Sequence, residues 1–126
     1  MKYKAILPIL GFEDEKEYEL SHIEGPFYKL EGKNASFTLI NPFFLRDDYE
    51  FEIDDEIAKK LNLKEDNVIV LNILTPNTPF DKSTINFAAP LVFNTQDKVF
   101  GQVVLDKYNY SLAQEIGDFL GERDES

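Results

Sequence analysis

The 126-residue chain has no cysteine, no tryptophan, a single histidine and a single methionine. Without cysteine there is no disulfide framework and no thiol chemistry, a composition that fits a reducing compartment and a cytoplasmic location. His22 alone cannot assemble a His/Cys metal site, and a Ser-His-Asp triad would have to use it. It stands between Ser21 and Ile23 on an expected strand and reads as a strand histidine. No glycine-rich run matches a phosphate-cradling loop or a dinucleotide fingerprint. No apolar run approaches the ~18–20 residues of a membrane-spanning helix, and Met1–Pro8 does not read as a signal peptide. Basic residues are scarce too: 13 Lys and Arg stand against 24 Asp and Glu, a formal charge of −11. Phosphate recognition needs clustered Lys and Arg, so direct contact with nucleic acid or with an anionic membrane is not expected. The same imbalance favours fast, salt-sensitive encounter with a basic protein, besides keeping the chain soluble.

What the chain does have is aromatic and β-branched material. Hydrophobic residues make up 43%, with 11 Phe and 6 Tyr, enough for a core in one domain over 1–126 and biased toward sheet. Tyr3–Leu7 reads as a strand ended by Pro8, and Gly11–Glu19 as an acidic loop leading into a second strand. Gly25-Pro26 punctuates the chain before a hairpin of Phe27–Leu30 and Ala35–Ile40, turned at Glu31–Asn34. Tyr49-Glu-Phe-Glu-Ile53 alternates apolar and acidic residues, the pattern of a half-buried strand. Asp54 or Asp55 suits a helix N-cap, Ile57, Ala58 and Leu61 share a face, and Asn62 closes a helix of about two turns. Asn67–Thr75 is the longest apolar run and reads as a central strand, apolar on both sides. Residues 76–83 form a polar loop, and residues 84–105 a second hairpin with its turn at Thr95–Lys98. Leu112, Ile116, Phe119 and Leu120 have helical spacing, so a C-terminal helix is expected over Tyr110–Leu120, with Gly117 weakening it, followed by a fraying tail at Gly121–Ser126. The fold expected is mostly β: a small, mostly antiparallel β-barrel with one short helix and that C-terminal helix.

Two places stand out as candidate protein-binding residues. Asn41–Tyr49 joins two strands and sets Phe43 and Phe44 beside Arg46, Asp47, Asp48 and Tyr49. Aromatics and Arg are enriched in interface hot spots. Either one phenylalanine plugs the barrel end while the other packs under the loop, or the pair faces a partner. From Arg46 to Glu56 there are seven Asp and Glu, a solvated edge or a docking patch for a basic protein. Asp47, Asp48, Asp54 and Asp55 do not have EF-hand spacing, and no metal or cofactor is expected. The second place is the polar set Asn86, Asn94 and Gln102, which interrupts the last hairpin. Strand amides either tie irregular backbone together or offer paired donors and acceptors to a partner. Pro90 in the same run marks an edge, a bulge or a strand start.

The segment Thr84-Ile85-Asn86, Ala89-Pro90-Leu91-Val92, Asn94, followed by Gln102-Val103-Val104-Leu105 and Tyr108, resembles the FliW family of flagellar assembly factors. Leu10-Gly11-Phe12-Glu13, Pro26-Phe27, the run from Phe37 through Leu39 to Asn41-Pro42, and Tyr49, Phe51 and Ile53 agree in order and spacing. The likeness covers residues 2–110. Two segments depart from it: Leu10 stands where the family often has proline, and Leu30-Glu31-Gly32 where it often has Leu-Gln-Ser. The resemblance implies a compact β-barrel without catalytic residues, monomeric when free, that binds and antagonises the basic RNA-binding regulator CsrA and alternatively binds flagellin. Flagellin synthesis is thereby coupled to flagellin use. Against it stands a reading from another class, a small-ligand or hydrolytic β-barrel with carboxylates at a barrel mouth. A deep pocket beside a buried carboxylate pair would mark that second reading.

Overall fold

The computed structural model describes residues 1–124. Nine strands run in the order β1 (Lys2–Leu7), β2 (Glu17–Glu24), β3 (Phe27–Glu31), β4 (Ser36–Ile40), β5 (Val68–Thr75), β6 (Thr84–Ile85), β7 (Leu91–Asn94), β8 (Val99–Gln102) and β9 (Gln114–Glu115). Among the described residues, two short helices, α1 (Asp55–Lys60) and α2 (Gly117–Asp124), accompany 3-10 turns at Pro42–Phe44 and Phe80–Lys82. Neighbouring strands follow the order β4-β3-β2-β1-β8-β7-β5, and β5 pairs back onto β4, so seven strands close into a barrel. Six of its seams are antiparallel. The seventh, β1 with β8, is parallel, Lys4 lying opposite Val99. The mostly antiparallel barrel expected from the sequence is therefore the fold, with one parallel closure that no local pattern announced. That seam is tight at Gly101, where a Cβ would sit 2.7 Å from the Cβ of Leu7.

Each of the seven strands sends side chains inward. Tyr3, Ala5, Tyr18, Leu20, Leu30, Leu39, Leu71, Leu91, Phe93 and Phe100, with Ile9 beyond β1, fill the interior. Phe93 and Phe100 stack at 4.8 Å, with Tyr3 edge-on to Phe93 and Tyr18 edge-on to Phe100. A second core lies on the other side of the β4-β5-β7 wall. There Ile40, Leu74, Ile85 and Val92 meet Tyr49, Leu61, Phe87, Val103, Leu105 and Ile116. Strands between two cores carry apolar residues on both faces. β7 is buried at all four positions, and β5 turns Leu71 to the interior and Val68, Val70 and Leu74 to the second core.

Four expectations are corrected. Tyr49–Ile53 is extended and alternates in burial as the sequence pattern demands, but it joins no sheet. Its ladder partner is replaced by two tyrosines. The backbone N–H of Glu50 donates to the Tyr110 hydroxyl at 3.0 Å, and that hydroxyl donates to the Glu50 carbonyl at 2.8 Å. The Glu52 N–H donates to the Tyr108 hydroxyl at 2.8 Å. The last hairpin is shorter than expected: β6 stops at Ile85, the chain is irregular to Pro90, and the pairing of β7 with β8 covers Leu91–Gln102. The C-terminal helix begins at Gly117 instead of Tyr110, because the chain bends at residues 112 and 113 and Gln114–Glu115 pair with β6 as β9. Gly117 thus opens the helix rather than interrupting it, and it is held close to the chain: a Cβ there would meet the Asp81 carbonyl oxygen at 2.7 Å. Phe119 and Leu120 pack on the second core. The fraying tail expected at Gly121–Ser126 is corrected as well: the backbone of residues 121–124 continues α2, and residues 125 and 126 lie outside the described residues.

The helix α1 follows its sequence signals. Asp54 occupies the N-cap position without a side-chain bond, while Asp55 and Glu56 sit in the first turn and Lys59 and Lys60 in the last, each complementing the helix dipole. Asn62 takes the left-handed conformation that ends it, φ 53°.

Candidate protein-binding surface

The connection between β4 and the extended Tyr49–Ile53 segment is built by one cap. Asn41 accepts the Phe43 N–H on its side chain at 3.0 Å, and Pro42 starts a 3-10 turn whose carbonyl takes Leu45 N–H. Both large side chains of this turn face outward: Phe43 is 48% and Phe44 54% exposed. Neither plugs the barrel.

Arg46 bends the other way. Its Nε and Nη2 grip both oxygens of Asp48 at 2.7 and 3.0 Å. Its guanidinium lies 5.2, 5.5 and 5.9 Å from the ring centroids of Phe87, Tyr110 and Phe119. Such a flat, weakly hydrated cation on aromatic faces is a clamp; here it fastens the C-terminal segment to the second core. The hydrogen bond from Arg46 holds the Asp48 carboxyl below its ordinary range, and Asp48 in turn raises Arg46. Asp47, Glu50 and Glu52 stay exposed beside this pair.

Tyr49 lies inside, 2% exposed. Its hydroxyl donates to the Phe87 carbonyl at 2.6 Å and accepts from Asn72 Nδ2 at 3.0 Å. Its ring meets those of Phe43, Phe51, Phe87 and Tyr110. Burial pushes its hydroxyl pKa up, and burial in the barrel raises Tyr18 to about 12. A phenol whose folded pKa exceeds its unfolded value of about 10 keeps its full stabilising effect below pH 10. Above that the unfolded chain ionises first, so stability falls as pH climbs from 10 toward 12. Thermal midpoints measured from pH 8 to pH 12 are expected to hold to about pH 10 and then drop; a midpoint flat to pH 12 would contradict the assignment of these two phenols to the cores.

The three amides turn inward. Asn86 Oδ1 accepts from Ala88 and Ala89 N–H at 3.1 and 3.0 Å, shaping the irregular stretch before Pro90. Asn94 is fully buried. It donates to the carbonyls of Leu61 and Asn62 at 2.7 and 3.1 Å and accepts from Gln96 and Asp97 N–H at 3.0 and 2.9 Å, joining the end of α1 to the β7–β8 turn. Gln102 accepts from Leu10 N–H at 2.8 Å and donates to the Ala89 carbonyl at 3.3 Å. Of the sequence-derived set, then, Phe43, Phe44 and Asp47 form exposed surface, with Asp48 beside them bound to Arg46. Tyr49 and Asn94 present none, and Asn86 and Gln102 are occupied with backbone. Sequence reasoning missed Asn72, which donates to both Tyr49 and the Asn86 carbonyl. It also missed Tyr110 as the partner of Glu50. The two-residue spacing of Tyr108 and Tyr110 was the available signal, since it puts both rings on one side of an extended chain.

A family model described as "FliW protein" matches residues 4–116. The chain belongs to the FliW family. The flagellar assembly factor FliW of Sulfurimonas denitrificans is 42% identical over 125 residues, covering 95% of this chain and 98% of that protein. The flagellar assembly factor FliW 2 of Wolinella succinogenes is 42% identical, covering 95% of this chain and 93% of its own length. That of Campylobacter lari is 40% identical, covering 95% and 97%. A crystal structure of the flagellar assembly factor FliW superposes with a TM-score of 0.85 at 34% identity, over 91% of this chain and 84% of that one. These relatives are named as assembly factors and not as enzymes. The residues that carried the FliW resemblance divide in the structure: Asn86, Asn94 and Gln102 hold backbone together, while Tyr49, Phe51 and Ile53 pack on or within the second core. Among the described residues no aspartate or glutamate is buried, none groups with two others to hold a metal ion, and no helix is long and apolar enough to cross a membrane.

Proposed function

We propose that this chain is a partner-switching regulator of flagellar assembly, which binds and antagonises CsrA and alternatively binds flagellin, in the cytoplasm and as a monomer when free. The observation that carries the reading is membership of the FliW family along residues 4–116. The charge supports it: a chain at −11 with Asp47, Glu50 and Glu52 exposed next to Phe43 and Phe44 attracts a Lys- and Arg-rich protein and repels RNA. The hydrolytic alternative finds no support in a barrel filled by Phe93, Phe100 and Tyr18, with no carboxylate buried among the described residues.

Calorimetric titration of the chain with CsrA and with flagellin, followed by competition between them, tests the reading. Both are expected to bind and to exclude one another. CsrA affinity is expected to fall at least about tenfold between 50 and 500 mM salt, as screened charges require. The double variant D47K/E50K, which leaves the Arg46–Asp48 pair intact, is expected to weaken CsrA further while the fold persists. Binding to neither protein would reduce the assignment to a shared fold without the shared function.

A further inference from the structure

The barrel wall has a notch. β4 pairs with β5 at Thr38–Leu74, Leu39–Ile73 and Ile40–Asn72 and then stops. The next residue positioned to exchange hydrogen bonds with β5 is Pro42, opposite Val70. Proline has no N–H to donate, and its carbonyl is already taken by Leu45 and Arg46 N–H as the chain turns away. On its other side β5 stays paired, Val68 through Leu71 lying against β7. Thr95 N–H bonds the Asn67 carbonyl and Asn86 N–H the Ile73 carbonyl, so by strand alternation the odd residues of β5 face β7 and the even ones face away. The N–H and C=O of Val68 and Val70 therefore point into the gap and meet no partner among the described residues. A cleft of about 250 Å³ lies there, lined by Tyr28, Asn41, Phe43 and Val68–Leu71.

Proteins ordinarily protect such an edge with lysine, proline or a bulge. Val68-Ile69-Val70-Leu71 carries none of these. Instead Phe43 and Ile69 stand exposed at its rim. The lining is uncharged, yet both chain segments leaving it carry a net negative charge: Lys64, Glu65 and Asp66 precede β5, and Arg46, Asp47 and Asp48 follow the Phe43 turn. Arg46 is turned onto Asp48 and the aromatic rings, which leaves Asp47 as the unpaired charge on that side among the described residues.

We propose that this notch is a strand-addition site, which takes an extended apolar segment flanked by Lys or Arg from a protein partner and pairs it with Val68 and Val70 along the line of β4. Main-chain bonds from two residues supply the grip, the Phe43–Ile69 rim receives alternate side chains, and the acidic exits select the basic flanks. The inference gives the partner-switching reading above a docking mode, and it is tested both through that reading and apart from it.

Amide exchange followed by NMR on the full chain is the experiment, run free, with saturating CsrA, with saturating flagellin, and with the synthetic peptide Lys-Val-Thr-Val-Thr-Val-Lys at millimolar concentration. In the free chain the Val68 and Val70 amides are expected to exchange at least tenfold faster than those of Ile69 and Leu71. The peptide, and one of the two proteins, are expected to slow them at least tenfold. V70P removes a donor that faces the gap and spares the β7 ladder; it is expected to weaken that protein at least tenfold. I69K, which keeps every backbone group, serves if V70P does not fold. Protected Val68 and Val70 amides in the free chain would overturn the proposal, as would protection that grows with the chain's own concentration, which would make a second copy the occupant. Unchanged exchange with the peptide and with any protein that binds would overturn it as well. If neither protein binds but the peptide protects the notch, the partner-switching reading fails and the strand-addition site stands.

Discussion

Replacing Phe100 by alanine is expected to destabilise the protein by about 3–5 kcal/mol, the range for truncating a large aromatic in a packed core. Phe100 is fully buried at the middle of the barrel interior. It stacks on Phe93 at 4.8 Å and takes the edge of Tyr18 at 5.5 Å. It also sits on β8, whose parallel pairing with β1 closes the ring at Ala5–Phe100. A cavity there is walled by seven strands that hold one another in register, so little can move inward to fill it. Urea unfolding followed by circular dichroism measures the change, together with a fall in thermal midpoint of roughly 10–20 °C. A loss below about 1 kcal/mol would mean that the barrel collapses around the missing ring and is looser than its packing implies.

Asn94→Ala should cost about 2–4 kcal/mol, although the residue contributes only an amide. Three backbone groups lose their partner at once, the Leu61 carbonyl and the N–H groups of Gln96 and Asp97, while the Asn62 carbonyl loses one of two bonds and keeps Asn67 Nδ2 at 3.2 Å. Leu61 is itself fully buried, so water does not reach its carbonyl without opening the α1 corner. The groups on the exposed β7–β8 turn rehydrate, which keeps the sum below three full desolvation penalties. The effect belongs to folding: partner affinity measured below the unfolding transition should stay within about twofold of the parent chain, about 0.4 kcal/mol. If affinity drops while the unfolding midpoint is unchanged, Asn94 acts at an interface after all.

Both residues show how far single-sequence reasoning reached. Phe100 lies in a run whose β-branched and aromatic content announced a strand, and the polar Thr95–Lys98 between two such runs announced its hairpin. Those are local preferences, and neighbours in sequence express them. Asn94 was visible as an anomaly, a polar residue where a strand wants Val. Its bonds to Gln96 and Asp97 are local, but the carbonyls it donates to lie more than thirty positions earlier, at Leu61 and Asn62, and no pattern along the chain points to them. Tyr49–Ile53 makes the same point in reverse. Its alternation correctly marked which side chains are buried, because burial needs only a face. It did not mark pairing, because pairing needs a partner strand, and two tyrosine hydroxyls from residues 108 and 110 stand where that strand would be. The helical spacing of Leu112 and Ile116 predicts a helix from Tyr110, seven residues before the observed start at Gly117. The pairing of Gln114 and Glu115 with β6 outweighs that spacing.

The sequence by itself determined the β-rich class, the positions of most turns, the limits of α1 and the family. Each depends on residue chemistry read over a short span: proline and glycine at turns, Asp and Lys at opposite helix ends, alternation within strands, and the ordered segments shared with the FliW relatives. Tertiary structure alone decided the rest. It closed seven strands through one parallel seam, divided the apolar residues between two cores, turned Arg46 onto three rings, and left Phe43, Phe44 and the Val68–Val70 edge facing outward. The physical reason is that these outcomes depend on which distant segments compete for the same surface. Pro42 ends β4 by a local rule, but that its departure leaves two β5 amides without a partner follows only once β4 and β5 lie side by side.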